Sequence, residues 1–293
     1  MRKNRRWRGL ALVGFIGAAL IAWLAMRQAR SAYAGPVRLS EMPGVMLWAW
    51  ERPENLRFLD GTESGVAYLA ETIYLAQEPS GAPGDYRFSI RPRLQPLVVG
   101  PDTARMAVIR IETTDEIAGK PSGGGQQKDS SEAASQRERI AGVIAEVARR
   151  PEIRGIQIDF DARKSEQEFY GELLKSVRRE MPPEMPLSIT ALASWCIGDR
   201  WLEKLPAGTV DEAVPMLFRM GVNTGDVRRF LHSGREFPVK MCSGSVGLST
   251  DEQESRELLA QAATRWRGKR IYVFAPEAWT EASAEAVLRG RNR

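Results

Sequence analysis

Arg154-Gly155-Ile156-Gln157-Ile158-Asp159-Phe160-Asp161 alternates strictly between apolar residues and small or polar ones. Side chains in a strand have a period of two, so Ile156, Ile158 and Phe160 share one face and Gly155, Gln157, Asp159 and Asp161 the other. Helical spacing flanks the stretch on both sides. Ile140, Val143, Ile144 and Val147 make an apolar stripe within 132–149; Phe169, Leu173, Leu174 and Val177 make another within 165–180. Ser165 with Glu168 reads as a capping box for the second helix, and Pro182-Pro183 ends it. A strand between two helices reads as part of a βα unit buried on both faces. Its apolar face then packs on helices, and its polar face points into the middle of the sheet. Two carboxylates at the end of such a strand repel each other and are costly to bury, which marks Asp159 and Asp161 as the candidate site.

Outward from this strand the same alternation repeats. Strands are expected over 44–50, 65–75, 106–112, 186–193, 210–218, 237–242 and 270–275, which with 154–161 makes eight. Short helices are expected at 55–59, 199–205 and 226–231, a longer one over 251–265 capped by Thr250, and a closing helix in 276–293. The turn-rich 79–85 followed by an alternating 86–91 reads as a hairpin outside the main pattern. Residues 119–136 turn to Gly, Ser, Gln and charge, a flexible loop after a strand. Eight strands alternating with helices point to an α/β chain folded as a (β/α)8 TIM-type barrel, one domain over 35–293. An open doubly wound sheet is the competitor, but no G-x-G-x-x-G opens a helix after an early strand.

Residues 1–34 read as an address. Seven basic residues and no acidic ones fall there, and the 18 residues 9–26 carry no charge. That is an N-terminal membrane-targeting helix, either a signal peptide cleaved after Ala34 in its A-x-A pattern or an uncleaved signal anchor. The basic flank holds the N-terminus in the cytoplasm and sends the body across. The expected location is therefore periplasmic or otherwise extracytoplasmic, secreted or anchored to the inner membrane. The formal charge of +5 comes from this segment; the remaining 35 basic residues face 37 acidic ones. With a near-neutral body and no basic stripe interleaved with aromatics, no nucleic-acid partner is expected.

In a barrel of this kind the active site lies where the strands end. The expected tips carry Glu51 and Arg52, Arg110 and Glu112, Asp159 and Asp161, Trp195 and Cys196, Arg219, then Cys242 and Ser243. Acids suit general acid–base work on a glycosidic bond, and a Trp face suits a sugar ring. Asp161 and Asp159 are the catalytic candidates; Glu51, Arg52, Arg110, Glu112, Gln157, Trp195 and Arg219 are the substrate-binding ones. The arginines suit a carboxylate-bearing sugar or, more blandly, ion pairs with the neighbouring acids. No metal or cofactor is expected: the single His232 lies far from the tips, no C-x-x-C spacing occurs, and neither a P-loop nor a G-x-S-x-G elbow is present. Cys196 and Cys242, the only cysteines, permit a disulfide outside the cytoplasm if the loops bearing them lean together.

Gly155-Ile156-Gln157-Ile158-Asp159-Phe160-Asp161 resembles the fourth-strand motif G-x-D-x-D-x-E of the chitinase-type glycosidases. In that family the final Glu protonates the leaving oxygen, and the preceding Asp orients the acetamido group of the substrate, which acts as the nucleophile. The resemblance implies these roles for Asp161 and Asp159. Gln157 stands where the motif has its first Asp, and Asp161 is one methylene shorter than Glu. A second resemblance covers most of the body. Leu47-Trp48-Ala49-Trp50-Glu51-Arg52-Pro53-Glu54-Asn55-Leu56, Gln157-Ile158-Asp159-Phe160-Asp161-Ala162, Leu192-Ala193-Ser194-Trp195-Cys196 and Val214-Pro215-Met216-Leu217-Phe218-Arg219-Met220-Gly221 are similar to a bacterial family known only as a domain of unknown function. It implies a barrel related to glycosidases and supplies no reaction.

Two functions follow as expectations. One is a glycoside hydrolase-like enzyme facing the envelope space, acting on a polysaccharide through strand-end carboxylates. The other is a catalytically inactive barrel that binds glycan or an envelope protein. A membrane-held scaffold would show neither binding nor turnover.

Overall fold

The computed structural model describes residues 38–77, 86–113, 131–221 and 224–291. The strands are β1 (Val45–Ala49), β2 (Glu54–Leu56), β3 (Ser64–Gln77), β4 (Tyr86–Pro92), β5 (Leu97–Val99), β6 (Ala104–Thr113), β7 (Gly155–Asp159), β8 (Leu187–Leu192), β9 (Glu212–Met216), β10 (Ser245–Ser249) and β11 (Arg270–Phe274). The α-helices are α1 (Ser131–Ala148), α2 (Gln167–Glu180), α3 (Ala193–Ile197), α4 (Thr224–His232), α5 (Gln253–Ala260), α6 (Ala262–Arg265) and α7 (Glu281–Arg291). β1 pairs in parallel with both β3 and β11, so the order β1-β11-β10-β9-β8-β7-β6-β3 closes into a ring of eight parallel strands. This is the (β/α)8 barrel that the alternation predicts. The expected membrane-targeting segment 1–34 lies outside the described residues. Among the described residues no helix is long and apolar enough to cross a membrane.

Two apolar regions follow from the period of two. Val45, Leu47, Ile156, Ile158 and Phe160 point outward into the layer shared with the helices, where Ile140, Ile144, Leu173, Leu174 and Val177 meet them. Met46, Trp48, Ala67, Met106, Val108, Val214 and Tyr272 point inward and fill the ring. Gly247 belongs to the inner face because Trp48 leaves no room: a Cβ there would lie 2.9 Å from the Trp48 ring.

The barrel has a stitched lower end. Leu39 and Met42 pack under the ring against Met46 and Tyr272. Arg270 donates to the carbonyls of Leu39, Met42 and Pro43 and forms an ion pair with buried Glu212 at 2.9 Å. Tyr272 donates its hydroxyl to the same carboxylate. Arg38 and Arg178 both pair with Asp211, at 2.6 and 2.8 Å.

At the upper end β3 outgrows the ring. A bulge between Leu69 and Glu71 breaks its register with β6, and residues 71–77 then pair antiparallel with β4 while still flanking β6. This is the expected hairpin, and it forms a wall above the barrel.

Several local expectations change. The seventh strand is β10, not 237–242; those residues form a connection ending in a 3-10 turn, Lys240–Cys242. Ser165 does not cap α2: a 3-10 turn, Lys164–Glu166, precedes the helix, and the Glu166 carboxylate accepts from the Arg163 amide at 2.7 Å. The helix expected over 251–265 is broken into α5 and α6, and Glu252 rather than Thr250 is at its N-cap. α1 begins at Ser131 and so takes the last residues of the expected loop 119–136; residues 119–130 lie outside the described ones.

Candidate functional site

A cavity of about 270 Å³ opens at the C-terminal ends of the strands. Its floor and walls come from inward positions two residues above the packed interior: Trp50 above Trp48, Arg110 above Val108, Asp159 above Gln157, Met216 above Val214 and Phe274 above Tyr272. Thr190, Ser194, Phe218 and Arg219 complete the rim.

β7 delivers both aspartates. Asp159 is the last residue of the strand, beside Arg110 of β6 in the parallel register. Thr190 of β8 donates its hydroxyl to the Asp159 carboxylate at 2.7 Å. Burial pushes the Asp159 carboxyl above the usual carboxylate range; the Thr190 hydrogen bond and the Arg110 charge act against that push. Asp161 follows two residues later, beyond the end of the strand, and is open to solvent through the mouth. The surrounding protein still displaces enough water to push its carboxyl up to about 6, helped by the charge of Asp159 and opposed by Arg110. The two acids thus differ in access and in hydrogen bonding, the condition for different protonation in one site.

Below them Gln157 is fully buried. It accepts from the Trp48 indole N–H at 2.7 Å and donates to the Ser188 hydroxyl at 3.1 Å. Behind them, on the outer side of β7, Tyr170 of α2 packs edge-on against Phe160 with ring centroids 5.1 Å apart. Its buried hydroxyl has no hydrogen-bond partner among the described residues. Burial, then the Asp159 and Asp161 charges, raise its pKa well above the phenolic value, so it stays protonated.

Of the nine residues expected to act, four line the cavity: Asp159, Asp161, Arg110 and Arg219. The other five lie elsewhere. Glu51 accepts from the Leu94 and Gln95 amides, and Arg52 bonds Glu54, Ala275 and Pro276, so both tie loops together. Glu112 pairs with Arg110 at 2.6 Å beyond the rim. Gln157 is part of the floor support. Trp195 is buried in the helical layer against Trp201, with centroids 5.2 Å apart, and offers no open face. The reason is that α3 starts at Ala193, directly after β8, and its first turn carries Trp195 outward. The aromatic rings at the cavity are Trp48, Trp50, Phe218 and Phe274 instead. Their parity with Met46, Met216 and Tyr272 was the available signal.

Cys196 and Cys242 are bonded to each other, with Cα atoms 5.8 Å apart. Cys242 precedes β10 rather than following a strand, so the bond joins α3 to the connection before β10 within the outer layer. Among the described residues no group of three His, Cys, Asp or Glu side chains is placed to hold a metal ion.

Residues 124–217 match the family described as "Domain of unknown function (DUF3142)". No curated protein matches the chain. Solved structures that resemble it include the Bacillus cereus spore cortex-lytic enzyme SleL, at 16% identity and a TM-score of 0.39, covering 70% of this chain and 51% of that one. A family GH18 chitinase from Chromobacterium violaceum resembles it at 9% identity and a TM-score of 0.43, covering 86% of this chain and 82% of that one. The chain therefore spans about half the length of the spore enzyme it matches.

Proposed function

We propose that the protein acts on a glycan at the upper cavity, with Asp161 as the proton donor to the leaving oxygen. The observation that carries this reading is the pair Asp159–Asp161 inside an aromatic-lined cavity, with the Asp161 carboxyl pushed up to about 6. Both carboxylates come from β7 and the residues just after it, and among the described residues the lining supplies no third one across the cavity. Double displacement by two acids on opposite sides of the sugar therefore suits the site poorly. The chemistry that suits it is assisted by the substrate: Asp161 protonates the departing oxygen, a group on the sugar closes on the anomeric carbon, and Asp159, held by Thr190, supports the charge that develops. Asp161 next takes a proton from water, which opens the cyclic intermediate. The disulfide supports a compartment outside the cytoplasm, in line with the basic and apolar N-terminal segment.

The test is release of reducing ends from a panel of soluble oligosaccharides, with Asp161→Asn alongside. The wild type is expected to cleave at least one member, and the variant to bind that member while cleaving it at least about a hundredfold more slowly. Equal cleavage by the variant would remove Asp161 from the mechanism. The second reading is a barrel that binds glycan without turnover. The shorter acid at 161 favours it, because Asp reaches less far into the cavity than Glu. Tight binding with no products from the wild type selects this reading.

A further inference from the structure

The ligand of this site carries negative charge: we infer that the upper rim is built to hold a carboxylate-bearing glycan. This rests on the glycan reading above and adds the substrate class. Three arginines lie on three aromatic rings around the same end of the barrel. The Arg219 guanidinium sits 4.8 Å from the Phe274 ring centre, Arg110 5.4 Å from Trp50, and Arg91 5.9 Å from Tyr74. Arg110 and Arg219 line the cavity from β6 and from the end of β9, on either side of the two aspartates. Arg91 and Tyr74 lie on the wall formed by β3 and β4, where Thr72, the neighbour of Arg110 in the ladder, is paired with Arg91. The three pairs therefore run from the cavity up that wall, as a track for more than one sugar.

A guanidinium stacked on a ring keeps its edge donors for a ligand, and a fork of N–H groups matches a carboxylate. Among the described residues, the acids nearby leave much of this capacity in place. Arg219 meets Asp251 only at 3.5 Å and Arg91 meets Glu51 only at 3.6 Å; both side chains are more than 40% exposed. Arg110 is closer to its partner: its Nε meets the Glu112 carboxylate at 2.6 Å. Arg219 is also the one described non-glycine residue with positive φ, at 50°. Its amide is held by the Glu252 carboxylate at 2.9 Å, which fixes the strained turn that presents the side chain at the cavity.

Equilibrium binding separates the possibilities. The probes are oligogalacturonate, hyaluronan oligosaccharides and peptidoglycan glycan strands, each beside its carboxyl-methylated form, with chito- and cello-oligosaccharides as neutral references. The tightest probe is expected to be a carboxylate, to lose at least about tenfold in affinity on methylation, and to bind more weakly as salt rises. Arg219→Gln and Arg110→Gln should each lose about five- to thirtyfold for that probe with an unchanged melting temperature, and Arg219→Lys should not restore it. If a neutral or methylated glycan binds as tightly as its acidic counterpart, or both Gln variants bind like wild type, the charge assignment is overturned while glycan recognition stands. If no glycan binds or is cleaved, both are overturned.

Discussion

Asp161 and Tyr170 show how one small region holds groups with opposite tolerances. A proton donor must be protonated to act, and burial raises the Asp161 pKa from its ordinary value to about 6. Turnover should therefore hold steady just below pH 6 and fall about tenfold per unit above it, as read from a pH–rate profile. The same shift has a stability sign. The folded chain takes up this proton more readily than the unfolded chain, so the folded state gains stability as pH falls from about 6 towards the unfolded pKa, and ionised Asp161 destabilises it above. Asp161→Asn should then melt about 1–3 °C higher than wild type at pH 7, a small rise because the side chain is open to solvent. Tyr170 gives a sharper contrast. Its hydroxyl is buried without a partner among the described residues, so Tyr170→Phe should leave the melting temperature unchanged or raise it by a few degrees. A loss of more than about 1 kcal/mol in a denaturant titration would mean that the hydroxyl has a partner in solution.

At the scale of elements, what the sequence makes legible depends on where the deciding contact lies. β7 can be read alone, because its alternation and its flanking helices are local. β10 cannot. Ser245-Val246-Gly247-Leu248-Ser249 has the composition of a loop, whereas Phe237-Pro238-Val239-Lys240-Met241-Cys242 has the apolar content of a strand. The small inner face of β10 is imposed by Trp48, almost two hundred positions away, whose ring occupies the space that larger side chains would need. The aspartates were legible by the same local parity. The cavity aromatics required the parity of β1, β9 and β11 to be followed past the strand ends, and Trp195 was misplaced because a helix begins where the strand was expected to continue. The disulfide also acts at this scale. It closes a loop of 46 residues and holds α3, whose Ala193 and Ser194 line the cavity. Replacing both cysteines by serine should cost about 2–4 kcal/mol, measured by urea unfolding against the oxidised wild type. An unchanged midpoint would show that packing alone holds that layer.

The molecule as a whole divides into two poles. The lower pole is closed by Arg270, which joins Glu212 to the carbonyls of residues 39–43. Arg270→Met leaves the Glu212 carboxylate buried with, among the described residues, the Tyr272 hydroxyl as its remaining side-chain donor, and should cost about 3–5 kcal/mol. The double change Glu212→Gln with Arg270→Met should cost less than the single one, since the uncompensated charge is gone; a chemical denaturation series on both variants measures the difference. A larger loss in the double variant would mean that the stitching to the carbonyls, rather than the charge pair, dominates this end.

The described chain starts at Arg38, beneath the ring, and the cavity opens above it. Arg38 and the stitched lower end therefore lie at the far pole from the bowl. A sensor surface coupled through a cysteine introduced beneath the ring would then present every copy with its opening towards the flowing solution, and coupling at the β3–β4 wall would crowd it.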